Sequence, residues 1–171
     1  EMKSRIEKLL NEQWDLGHAA HGQISRPDGP RYPMLGTFHS VCVRILRRHF
    51  EKLGRPANFV IYDTDDTRSL MKRIMAEQQI QDDRFTPPLV LGMISKAKNQ
   101  LESPEYFTGC AGNFFERTVA NLYHEYKKRL EKNNAVDFDD LLYYVVELFR
   151  KCPEVIEEYQ ERWRFINIDE Y

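Results

Sequence analysis

The sequence is short of the residues that would mark several common protein classes. It has three cysteines in 171 residues, Cys42, Cys110 and Cys152, and no two of them form a CxxC pair. That spacing speaks against a disulfide framework or a zinc site and fits the reduced thiols of a cytoplasmic protein. No apolar run approaches the roughly 18 residues of a membrane span, and no signal-peptide pattern opens the chain. An excess of one charge is missing as well, with 25 Lys and Arg against 27 Asp and Glu. A polybasic, histone-like protein is therefore excluded, although a local basic face is enough to engage phosphates. There is no GxxxxGK[ST] loop to cradle the phosphates of a nucleotide. An initiator Met is also missing, and the chain stops abruptly at Tyr171, as expected of an internal piece of a longer protein.

What is present is a globular composition, 42% hydrophobic, sufficient for one domain or for a small domain plus part of another. Residues 1–12 place Met2, Ile6, Leu9 and Leu10 at helical spacing. The stretch from Gly17 to Pro33 breaks that pattern with Gly and Pro and reads as a surface loop. Met34–Phe38 reads as a short strand feeding a helix with Cys42, Ile45, Leu46, Phe50 and Leu53 on one stripe, ended by Gly54 and Pro56. Phe59–Tyr62 is extended, and Asp63 or Thr64 caps a helix with Leu70, Met71, Ile74 and Met75 inward. Thr86 and Pro87 start the next helix, with Val90, Ile94, Ala97 and Leu101 along one side. A helical turn is expected at Pro104–Thr108, then a long helix capped by Asn113, another capped by Asp137, and a last one from Pro153 to Arg162. Phe165–Ile168 reads as a strand. The expectation is a mainly α protein of about seven helices, in which two lone strands near opposite ends bracket a helical block. That pattern suggests an insertion into an α/β domain.

Four sets of residues could carry chemistry. Gly36-Thr37-Phe38-His39-Ser40 stands at a strand-to-helix junction, where unpaired amides at a helix N-terminus can bind phosphate. There Thr37, His39 and Ser40 add donors and Phe38 can stack; the competing reading is a helix capped by Ser40, with His39 on the surface. Asp169 and Glu170 follow an apolar strand, where one carboxylate can hold Mg2+ and the next can activate water, or both are ordinary surface acids. Asp137, Asp139 and Asp140 crowd one helix start, and capping explains them better than an ion site. Arg44, Arg47, Arg48, Lys96, Lys98, Lys127, Lys128 and Arg129 can meet phosphates or simply be solvated. His18 and His21 have no third ligand beside them.

Together these segments resemble the UvrD/PcrA/Rep-type superfamily 1 DNA helicases. LGTFHSVCVRILRR is similar to that family's motif Ib. FVIYDTDD, ISKAKN, YKKRLEKNNAVDFDDLL and PEVIEEYQERWRFINIDEY follow in the family's order and spacing. EMKSRI resembles the helix after its motif Ia, and the region from about 15 to 33 departs from it in His, Gly and Pro content. The resemblance implies that residues 1–58 and 138–171 are incomplete pieces of a RecA-like subdomain, with 59–137 as its helical insertion, called 1B.

The resemblance further implies that Thr37 and His39 contact a single-stranded DNA track, with Phe38 and Ser40 supporting the turn. Lys96 and Lys98 would meet the backbone of the duplex. Asp169 would help hold Mg2+ and Glu170 would activate the attacking water. The complete chain would be an ATP-dependent 3′→5′ helicase of replication or repair. Its partners would be single-stranded DNA, the single/double-strand junction and the remainder of its own chain, with no membrane. This segment alone, without a phosphate loop or a second motor half, would bind neither ATP nor Mg2+ tightly and would not hydrolyse ATP. The alternative is a stand-alone helical DNA-binding or protein-interaction module with no motor.

Overall fold

The computed structural model describes residues 36–80 and 82–168. The chain divides into two compact units, Glu1–Thr37 and Phe38–Tyr171. Of the first, Gly36 and Thr37 are described, and both are exposed and irregular. The helix expected over residues 1–12, the loop at 17–33 with His18 and His21, and positions 34 and 35 lie outside the described residues.

The second unit is mainly helical, as expected. Helix α1 (Phe38–His49) continues as a 3-10 turn (Phe50–Leu53), which Gly54 ends at φ 74°, a left-handed conformation that suits a residue without Cβ. Strand β1 (Val60–Ile61) leads to α2 (Thr64–Glu77), α3 (Pro87–Asn99), α4 (Pro104–Cys110) and α5 (Phe114–Lys132). Strand β2 (Ala135–Val136), α6 (Phe138–Lys151) and α7 (Pro153–Arg162) complete it.

The helix starts follow local side-chain chemistry. Asp63 accepts from the amides of Asp65 and Asp66, while Asp66 reaches back to the amide of Asp63. Asp137 and Asp140 make the same reciprocal box at α6, and Ser103 and Asn113 cap α4 and α5. Each cap satisfies amides that the helix itself leaves without acceptors. α1 starts at Phe38, so Ser40 lies in its first turn rather than at the cap.

β1 falls within the extended Phe59–Tyr62 segment, as the sequence suggested, but the other two expected strands fare differently. Phe38 belongs to a helix, and residues 165–168 form no strand. Phe165 and Ile166 stand 92% and 69% exposed. A strand needs the backbone groups of a neighbour, and none of the described residues supplies a partner there. Instead β1 pairs in parallel with β2, Val60 opposite Ala135 and Ile61 opposite Val136. Val60 N–H donates to Asn134 O and Tyr62 N–H to Val136 O, each at 2.9 Å.

This short ladder marks the seam between two hydrophobic cores. One is built from α2, α3 and α5, with Met71, Ile74, Val90, Ile94, Leu122 and Tyr126 among its buried side chains. The other joins α1, α6 and α7 through Leu46, Phe50, Leu141, Tyr144, Leu148 and Tyr159. Successive strand residues face opposite ways, so Ala135 enters the first core and Val136 the second. Helices α2 to α5 thus form a block whose chain enters at β1 and leaves at β2, side by side.

Candidate nucleic-acid interface

Two helix N-termini meet at one edge of the second core. α1 packs along α6, and the first residues of the two helices face each other. His39 lies edge-on to Phe138, with ring centroids 5.7 Å apart and planes at 67°. Phe38 is 62% exposed and Phe138 52%, so two large aromatic surfaces remain open to solvent at this edge. The first turn of α1 carries no acid to offset the partial positive charge of the helix end. Aromatic faces beside an electropositive helix end suit a single-stranded nucleic acid, which offers bases to stack and phosphates to neutralise. Next to Phe138 opens a cleft of about 320 Å3, with Tyr62, Arg68, Ser95 and Tyr126 on its walls.

Beneath Phe138 lies a buried ionic cluster that the sequence reading did not assemble. Lys98 comes from α3 and is 4% exposed; its Nζ sits 2.6 Å from Asp137 Oδ2 and 2.7 Å from Asp140 Oδ1. Tyr126 OH donates to the same Asp137 Oδ2 at 2.9 Å. The remaining oxygens, Asp137 Oδ1 and Asp140 Oδ2, accept the backbone amides of Asp140 and Asp137. All four carboxylate oxygens are therefore partnered, the condition for burying such charges without a large desolvation cost. Burial pushes the Asp140 carboxyl up to about 6, against the downward pull of Lys98. Burial works against the charge on Lys98 too, but the Asp140 and Asp137 carboxylates outweigh it and hold the ammonium above its ordinary value. Burial and the neighbouring Asp137 raise the Tyr126 hydroxyl well above its usual range.

The sequence-derived candidates separate on this geometry. Phe38, His39 and Ser40 fall in the first turn of α1, with Thr37 just ahead in the chain. Lys96 is exposed in the last turn of α3. Lys98, expected at a DNA backbone, is instead enclosed by two aspartates, because its position continues the buried i, i+4 row of Val90 and Ile94. That spacing was the available signal. For Phe138, the signal was a large apolar side chain set between acids at a helix start. Among the basic residues, Arg47 donates to Ala57 O and covers the Phe59 ring. Arg48 pairs with Glu158, and Arg129 pairs with Glu77 and Glu125. Arg44 and Lys128 are exposed. Asp169 and Glu170 lie outside the described residues, and no group of three or more His, Cys, Asp or Glu among the described residues is placed to hold a metal ion. No described helix is long and apolar enough to cross a membrane.

The family profile described as UvrD/REP helicase N-terminal domain matches residues 1–171, and the chain belongs to that family. Among its curated relatives, the ATP-dependent DNA helicase PcrA of Bacillus subtilis is 40% identical over 171 residues, covering 100% of this chain and 21% of the relative. Proteins of the same description from Leuconostoc citreum and Staphylococcus aureus are 37% and 36% identical over the same span, again 21% of their length. The chain thus spans about a fifth of the curated relatives it matches.

Proposed function

We propose that this chain is the part of an ATP-driven 3′→5′ DNA helicase, acting in replication or repair, on which the single strand is footed. The observation that carries the proposal is the pairing of His39 with Phe138 where the N-termini of α1 and α6 converge, flanked by the exposed ring of Phe38. Bases would stack on Phe38 and Phe138. Phosphates would be met by the first-turn amides of α1, with Thr37, His39 and Ser40 as side-chain donors. The helical block from about 59 to 137 is then the 1B insertion, flanked by pieces of a RecA-like subdomain at 1–58 and 138–171. Its support is the parallel pairing of β1 with β2, which returns the chain beside its point of departure. Lys96, exposed on that block, is the remaining duplex-side contact, and Lys98 is withdrawn from that role by its burial.

ATP and Mg2+ belong to the complete chain. Asp169 is proposed as a magnesium ligand there and Glu170 as the carboxylate that activates water. The bound nucleotide would supply the energy that moves the track, and the described residues would hold the strand while it moves. Without a phosphate loop, residues 1–171 alone are expected to show no DNA-stimulated ATPase. Fluorescence anisotropy with a labelled oligo(dT) tests the footing. Binding should be insensitive to sequence, weaken steeply with salt, and fall when His39 or Phe138 becomes Ala. Salt-insensitive, sequence-selective binding that both substitutions leave intact would refute it and favour a stand-alone module.

A further inference from the structure

The Asp137–Asp140 box caps α6, but capping does not explain Lys98. The same pair of residue types, Asp63 and Asp66, closes the same reciprocal box at α2 in solvent, and among the described residues no ion pair is made to either. At α6 a buried ammonium has been added from a helix 39 residues away in sequence. That ammonium belongs to the first core through α3, whereas the carboxylates it grips begin a helix of the second. Between those carboxylates stands Phe138, half exposed and set against His39. Each aspartate is also tied through its second oxygen to a backbone amide at the start of α6. Lys98 is thereby connected to the backbone that aims Phe138.

We propose that Lys98 is a positioning residue for single-stranded DNA, joining the helical block to the start of α6 and holding Phe138 in register with His39 and the first turn of α1. The proposal rests on the footing described above. Its chemistry is electrostatic and no bond is made or broken. A buried ammonium gripping two carboxylates permits one arrangement of the α6 entry, whereas an apolar replacement leaves two carboxylates that repel each other and reorient the turn. The strand is then lost from its footing although Lys98 never touches it. Movement of the block relative to the seam would be transmitted to the same aromatic ring.

The test uses the full-length chain containing this segment, with DNA-stimulated ATPase titrated separately by oligo(dT) and by ATP. Lys98→Met should raise the oligo(dT) concentration for half-maximal activity roughly tenfold, within the range for residues sharing one network, and leave the KM for ATP unchanged. On a Phe138→Ala background the same substitution should add little, because the ring it positions is gone. Full additivity of the two losses, or an unchanged requirement for DNA in Lys98→Met, overturns the proposal. Wild-type behaviour of Phe138→Ala itself refutes the footing, a distinct signature with which the proposal also falls. Should Lys98→Met not fold, Asp140→Asn keeps the Lys98–Asp137 contact and should give a smaller, equally non-additive rise. No rise there counts against Lys98.

Discussion

Replacing Lys98 by Met takes away the cation that Asp137 and Asp140 share while leaving both carboxylates enclosed. Breaking a buried pair from one side costs about 3–5 kcal/mol, because the surviving charge has neither water nor a counter-ion. Two carboxylates are stranded here, so the upper part of that range applies above neutral pH. For a unit of this size the loss lowers the unfolding midpoint by roughly 10 °C or more. The loss should depend on pH in a definite direction. Asp140, at about 6 in the folded protein against an ordinary 3.8, binds more protons folded than unfolded between those values. In the parent protein its contribution is therefore fully present below about pH 4 and is lost as pH rises through 6, up to roughly 3 kcal/mol from this group. The charged groups bearing on it are Lys98 from α3 and Asp137 from its own turn. Without Lys98 the downward pull on its pKa is gone, so at pH 5.5 the carboxyl is more fully protonated and the mutational loss shrinks. Urea unfolding of parent and variant at pH 5.5 and 8 measures both losses. A loss below about 1 kcal/mol at pH 8, or equal losses at the two pH values, would show that the ionic cluster does not hold the seam.

Other substitutions probe single links. Asp63→Ala removes the exposed box at α2 and should cost about 1 kcal/mol. Asp137→Ala removes an equivalent cap together with a partner of Lys98 and Tyr126, and should cost at least twice as much by the same unfolding assay. Gly54→Ala meets no atom within 4 Å, so its destabilisation of about 1 kcal/mol arises from the positive φ alone, and a neutral result would contradict that backbone conformation. Phe138→Ala, at a half-exposed ring, should change stability little yet weaken oligo(dT) binding by about 1–3 kcal/mol in anisotropy titrations.

Much of the fold was legible because its signals are local. The caps at Asp63, Asn113 and Asp137 act on amides within three residues, and Gly54 ends its helix by its own conformation. The buried stripes Leu70–Met75 and Val119–Leu130 follow from a 3.6-residue period, which needs no knowledge of what they pack against. The strand expected over Phe165–Ile168 was misplaced for the converse reason. Phe165–Ile168 has the composition of a strand, but a strand exists only where a neighbour offers backbone groups, and the neighbour of Val60–Ile61 lies far along the chain at Ala135–Val136.

Among the proposed DNA-contacting residues the same division holds. Family, helix order and the TFHS turn were readable from motifs, since motif spacing is a property of the chain itself. The destination of Lys98 was not, because lysine at a core spacing either snorkels to solvent or finds carboxylates, and 39 residues separate it from the one it meets first. Nor was the meeting of His39 with Phe138, which depends on α1 and α6 sharing a core. Periodicity and capping decide where helices begin and which side is apolar, because both act over a few residues. Which charges are buried together, and which aromatic rings share an edge, depends on how two cores close over one short ladder.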